Sequence, residues 1–175
     1  CPMAVKPGRA GFTYLSGGQV YAEGVQGSAF EAWQITTPGP PFRGSYGFNE
    51  WLFTRRFEPG SHLISSSYTD TFSMRNSANI PLLLDSAMFS APPDNRSGPP
   101  RSPYGTGPGM APFCINRHSS HVNGLFFDWS VRKIGLKELW TLKWDRTFDT
   151  TGPWTKAGGA LPDNWPEWMR PFKDY

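Results

Sequence analysis

Residues 113–144 read FCINRHSSHVNGLFFDWSVRKIGLKELWTLKW, and this stretch decides the fold class. Two short runs inside it, Val122 to Phe127 and Ser130 to Ile134, are apolar or alternating, the pattern of strands. Asp128 and Trp129 lie between them, so the two strands are expected to form a hairpin. A two-residue type I′ turn needs positive φ at both central positions, which Trp resists, so a longer or bulged turn is expected. After Gly135, the residues Leu136, Leu139, Trp140 and Trp144 recur at i, i+3, i+4 and i+8. That spacing predicts an amphipathic helix over 136–144.

Upstream, Asn79-Ile80-Pro81-Leu82-Leu83-Leu84-Asp85-Ser86-Ala87-Met88 is a short apolar run with its proline near the start, as in a buried strand. Tyr46, Phe48 and then Trp51-Leu52-Phe53 suit a strand passing into a short helix or turn. Residues 54–78 are polar and Ser/Thr-rich, a loop composition. Residues 1 to about 43, punctuated by Gly and Pro, are expected to be loop-rich, with a short strand at Gln19 to Ala22 and a helical turn or more at Gly27 to Trp33. Residues 91–112 hold seven prolines and read as a surface loop. The tail, 147–175, reads as a strap anchored by Trp154, Trp165, Trp168 and Phe172. The expected fold is a single α+β domain over 1–175, β-dominated, with an antiparallel sheet, one C-terminal helix and long Gly/Pro-rich loops.

Composition agrees. The 175 residues include 19 Gly and 18 Pro, which commit much of the chain to turns, and 8 Trp, 13 Phe and 6 Tyr, which anchor long loops and exclude a disordered chain. The net charge of +3 is spread thinly, the densest basic spots being Arg55-Arg56 and Arg132-Lys133. Nucleic-acid binding calls for a clustered basic stripe, so it is not expected. The longest apolar run falls far short of the ~20 residues that a bilayer demands. The chain begins with Cys1 rather than Met, which fits a processed or trimmed chain.

Two cysteines, Cys1 and Cys114, are compatible with one disulfide in an oxidising compartment or with two free thiols. A bridge would close a loop of about a hundred residues and contribute ~4–5 kcal/mol in the chain-entropy account.

The segment from Phe113 onward carries a family resemblance. Cys114-Ile115-Asn116-Arg117-His118 is followed nine residues later by Asp128, then by Ser130-Val131-Arg132-Lys133 and Gly152-Pro153-Trp154. This resembles the bacterial pseudopilin-like proteins with a His, nine residues, Asp-Gly pattern, themselves related to type II secretion pseudopilins and type IV pilins. Weaker agreement extends to Cys1-Pro2-Met3-Ala4, to Gly44-Ser45-Tyr46-Gly47-Phe48-Asn49 and to the apolar run before Asp85. Trp129 stands where the family pattern has Gly, so the turn geometry departs from it. The resemblance implies a pilin-like head and a structural role on the periplasmic face or extracellular surface. It implies other pilin-like subunits as partners. It implies membrane contact only through an N-terminal stem helix outside this chain, expected to end shortly before Cys1.

Several constellations invite chemistry. His118, His121 and Asp128 suggest zinc, with Asp85 as a further candidate, yet zinc takes three or four converging ligands. At ~3.3 Å per residue, six extended residues separate Asp128 from Val122 by on the order of 20 Å, so one strand cannot join His121 to Asp128. The favoured reading is that His118 pins the loop leading into the hairpin. Some pseudopilin heads hold calcium in a C-terminal loop, which nominates Asp145, Asp149 and Asp163, although their spacing matches no EF-hand. No metal or other cofactor is expected. Cys114 and His118 form a conceivable nucleophile pair, and His62 lies in a serine-rich loop with no nucleophile elbow. Asn95-Arg96-Ser97 is a chance match to a glycosylation acceptor.

The alternative function is a secreted polysaccharide-binding or glycoside-hydrolysing domain. It would use exposed Trp154, Trp165 and Trp168 with a carboxylate pair such as Glu31/Glu50 or Asp85/Asp128. Carboxylates lining one cleft with Trp would favour it, and scattered, satisfied carboxylates would favour the structural role.

Overall fold

The structure, a computed structural model, describes residues 4–16, 19–52, 68 and 75–175. Among these, nine strands form two sheets. The first is an antiparallel meander of β1 (Ala10–Ser16), β2 (Gln19–Gln26), β3 (Trp33–Thr37) and β4 (Phe42–Gly44), in that order, where a loop-rich segment and a single sheet were expected. The second contains β5 (Tyr46–Asn49), β6 (Pro81–Asp85), β7 (Ser90–Ala91), β8 (His121–Phe126) and β9 (Val131–Gly135), ordered β7-β5-β6-β8-β9. All its pairings are antiparallel except β5 with β7. The chain passes from one sheet to the other through the buried Ser45.

The strand expectations in the C-terminal part hold. In β8, Val122, Gly124 and Phe126 are buried while His121, Asn123 and Leu125 are half-buried, the two-residue alternation of a strand with one face on a core. A Cβ on Gly124 would lie 2.5 Å from Ile134 Cδ1 and 3.2 Å from Leu84 Cγ, because side chains of β9 and β6 close over the bare backbone. The β8–β9 turn is bulged, as expected, but the bulge does not spare Trp129 the positive φ on which that expectation rested. The Trp129 amide donates to the Phe126 carbonyl (2.9 Å), and the Phe126 amide donates to the Ser130 carbonyl (2.9 Å). Trp129 takes φ 67°, the left-handed residue that follows a tight turn in a bulged hairpin. The strand-to-turn expectation near Phe48 also holds, β5 running straight into a single 3-10 turn at Glu50–Leu52.

The C-terminal helix does not form as expected. Leu136–Thr141 is a six-residue 3-10 helix, and no longer helix occurs among the described residues. The i, i+3 spacing of Leu136 and Leu139 suits both helix types, so periodicity alone cannot separate them. Tertiary bonds decide. The Lys143 amide donates to Asn79 O (2.9 Å), and the Asn49 side chain donates to Trp144 O (2.8 Å). The Trp144 indole donates back to Leu139 O (2.7 Å). These bonds take up the backbone groups that a continuing helix would use, and the chain turns extended at Leu142. The turn expected at 27–33 is likewise no helix. The Gly27 amide donates to Ala87 O (2.8 Å), tying this bend to the second sheet, and β3 starts at Trp33.

The main core belongs to the second sheet. Leu84, Phe113, Phe126, Ile134, Leu139 and Trp144 are fully buried there. The proline-rich excursion after β7 is held on this core by three indoles. Trp51 Nε1 donates to Pro93 O (2.7 Å), Trp140 Nε1 to Ser97 O (3.0 Å) and Trp168 Nε1 to Pro100 O (3.0 Å). Prolines lack an N–H but keep their carbonyls, so such a segment is anchored by donors brought to it. The expected surface loop is thus a pinned one, and its end, at Met110 and Ala111, enters the core. The first sheet is thinner. It rests on small residues, Ala22, Ala29 and Ala32, and on one aromatic group in which Trp33 meets Phe42 (5.4 Å) and Phe89 (6.2 Å). The loop expected over 54–78 lies mostly outside the described residues.

Candidate functional site

Polar side chains converge at one place, where the two sheets meet. Asp85 ends β6, and Arg117 and His118 lie in the loop before β8. Asp85 Oδ1 accepts from Arg117 Nη1 (3.3 Å), and its Oδ2 lies 3.1 Å from His118 Nε2. The same Oδ2 accepts from the backbone amide (2.7 Å) and side-chain amide (3.1 Å) of Asn123. Both the Asp85 and Arg117 side chains are fully buried, and His118 is about a quarter exposed.

The guanidinium fork is fully used. Nε donates to Ala29 O (2.9 Å) and Nη2 to Ser28 O (2.7 Å), both in the bend of the first sheet. Nη1 donates to Ser45 O (2.6 Å), the crossing residue, and Nη2 also to Ser86 O (3.3 Å) just after β6. Burial draws the guanidinium below its ordinary pKa, and the Asp85 carboxylate opposes that pull. Arg117 therefore works as a clasp between the sheets, its charge balanced by one buried carboxylate.

Every oxygen of Asp85 is engaged, and Arg117 is spent on carbonyls. Cys114 is a free thiol buried in the core, with its Sγ 3.9 Å from Met169 Sδ. Burial pushes its pKa far up, opposite to the shift that activates a nucleophile. Cys1, its candidate disulfide partner, lies outside the described residues, as does His62.

The other nominated residues are dispersed. His121 opens β8 and lies 2.9 Å from Ser119 O through Nδ1. Asp128 sits beyond the far end of β8, where its Oδ1 accepts from Ser130 N (3.0 Å) and Ser130 Oγ (2.6 Å). Those bonds hold its carboxyl below the ordinary value. Asp145 and Asp149 each cap their own turn, on Thr147 and Thr151. Asp163 is exposed in a separate 3-10 turn, Pro162–Asn164. Among the described residues no group of three His, Cys, Asp or Glu is placed to hold a metal ion.

The proposed carboxylate pairs are also apart in their partners. Glu31 accepts from Ser28 Oγ (3.1 Å), and Glu50 accepts from Ser90 Oγ (3.3 Å). The tail tryptophans turn inward rather than forming an open platform. Trp165 is 3% exposed, packed edge-on against Trp140 (5.4 Å) and Trp154 (5.7 Å), with the Lys137 ammonium 4.9 Å from its ring centre. Trp154 and Trp168 are half-buried.

His118 lies against the Asp85 carboxylate, and Arg117 beside it, which makes the clasp, was not among the nominated residues. The one available signal was the charge ending the apolar run at Asp85, since a carboxylate inside a core demands a partner. No family model matches the sequence, and no curated protein and no solved structure matches it.

Proposed function

We propose that the chain is the globular head of a pilin-like or pseudopilin protein, a structural subunit acting in envelope or extracellular assembly. Its pilin-like character rests on the sequence resemblance. The observation that carries the reading is that the charged residues of the motif stretch serve architecture. Arg117 and His118 bind Asp85 and join two sheets, and Asp128 caps a hairpin turn. The carboxylates are scattered and satisfied by neighbours, the condition that favours a scaffold over a hydrolase.

The test uses the full-length gene product in the bacterium that makes it. It is expected in the envelope or sheared surface fraction, in a high-mass assembly that depends on prepilin processing. A product found wholly in the cytoplasm, or a monomer that cleaves polysaccharide, would overturn the proposal.

A further inference from the structure

We propose that the β8–β9 hairpin tip of one copy docks in the groove beside the Gly27–Glu31 bend of a second copy, forming a head-to-tail contact between subunits. The proposal rests on the assembly reading above and specifies its contact surface.

The tip is unusual on two counts. Trp129 is 77% exposed while its backbone sits at φ 67°, a region that bulky residues avoid. Val131, on the outer strand of its sheet, is 72% exposed beside it. Neither folding nor core packing calls for a large ring in a strained position in water, and strain kept at a surface points to function. Asp128 flanks the ring on one side, and the exposed Lys133 shares the face of Val131.

The groove is open, of about 490 Å³, and its walls include Arg9, Gln26, Ser28, Phe30, Glu31 and Tyr104. Phe30 and Tyr104 are 55% and 52% exposed, so two aromatic faces await a partner. Arg9 and Glu31 also line the groove, one charge of each sign, as the exposed Asp128 and Lys133 supply one of each on the tip's strand and turn; the docked pair would set Arg9 against Asp128 and Glu31 against Lys133. Complementary charge around an aromatic anchor is how an interface sets its register.

A copy cannot fill its own groove. The groove adjoins Ser28, whose carbonyl holds Arg117 just ahead of β8. The tip lies past the other end of β8, whose six residues span on the order of 20 Å. The two patches differ and lie beyond opposite ends of β8, so the contact is heterologous and repeats from copy to copy. One Trp buries about 150–250 Å², well under the ~1,200 Å² of a stable interface. The contact is therefore weak between free heads and effective between subunits held together by other means.

Sedimentation equilibrium of the 175-residue chain up to millimolar concentration tests it. Weak, open-ended association is expected, weakened at least tenfold by Trp129→Gly with no loss of thermal stability. Lys133→Glu and Glu31→Lys should each weaken self-association, and mixing these two variants should restore it between unlike copies. Association unaffected by Trp129→Gly, or no rescue in the mixture, overturns this contact. A strictly monomeric chain, in solution and when crowded on vesicles through an N-terminal tether, overturns it too. So does a groove that takes up soluble oligosaccharide through Phe30 and Tyr104 and leaves association unchanged. In each of these cases the assembly reading stands or falls separately, on whether the full-length product fractionates with a high-mass envelope assembly.

Discussion

The two sheets are stabilised by different physics. The second is backed by a dense aromatic and aliphatic core in which Phe113 packs on Trp144 at 4.9 Å, both fully buried. The first has small alanines beneath it and leaves Phe42 63% and Val20 49% exposed. What it lacks in buried area it gains at its junction with the second sheet, where Arg117 binds three carbonyls at Ser28, Ala29 and Ser45. Burial is non-directional and tolerates drift, whereas a five-donor fork fixes position. The second sheet thus supplies the stability, and the clasp fixes where the first sheet sits.

That contrast can be broken by experiment. The largest effect is expected from Trp144→Ala, which removes a fully buried ring and should cost about 3–5 kcal/mol in denaturant unfolding. If the second sheet carries the whole molecule, both sheets should lose amide protection together. Arg117→Met should cost about 3 kcal/mol, because Asp85 is left charged and buried. Its loss of protection in hydrogen exchange should begin in β1–β4, and adding Asp85→Leu should recover part of the stability. Equal exposure of both sheets in Arg117→Met would refute the clasp as a local fastener.

Smaller effects sharpen the picture within the second sheet. Trp129→Gly removes left-handed strain and should raise stability by about 1 kcal/mol, read as a higher thermal midpoint. Glu50, just past β5, has its carboxyl raised above the ordinary 4.5 by burial, with Ser90 opposing. The native state then holds this proton more tightly than the unfolded state does. Its contribution is full below pH 4.5 and is lost as pH rises through the raised native value. Glu50→Gln should therefore be more stable than the parent at neutral pH, with the gap closing in acid. A gap that widens in acid would show that the Ser90 bond outweighs burial.

The hairpin and the buried strand before Asp85 were legible because each rests on local rules. Alternation along a strand needs only neighbours two apart, and the turn came out bulged although Trp129 takes within it the positive φ it was expected to avoid. The helix over 136–144 was misread because the i, i+3 pattern is shared by two helix types. Bonds from Asn49 and Asn79, far away in the chain, chose between them. The groove was not legible, because Arg9, Glu31 and Tyr104 come from three separate segments.

By itself the sequence determined a β-dominated chain, its aromatic anchors and the strands that flank its motif, since these depend on spacing and side-chain size. Only the tertiary structure decided that Arg117 joins two sheets, that the proline-rich segment hangs from three indoles, and that the tail tryptophans face inward. The first two depend on backbone carbonyls, which every residue carries alike and which folding alone brings within a donor's reach, and the third on rings from separate segments packing together, as Trp165 does on Trp140 and Trp154.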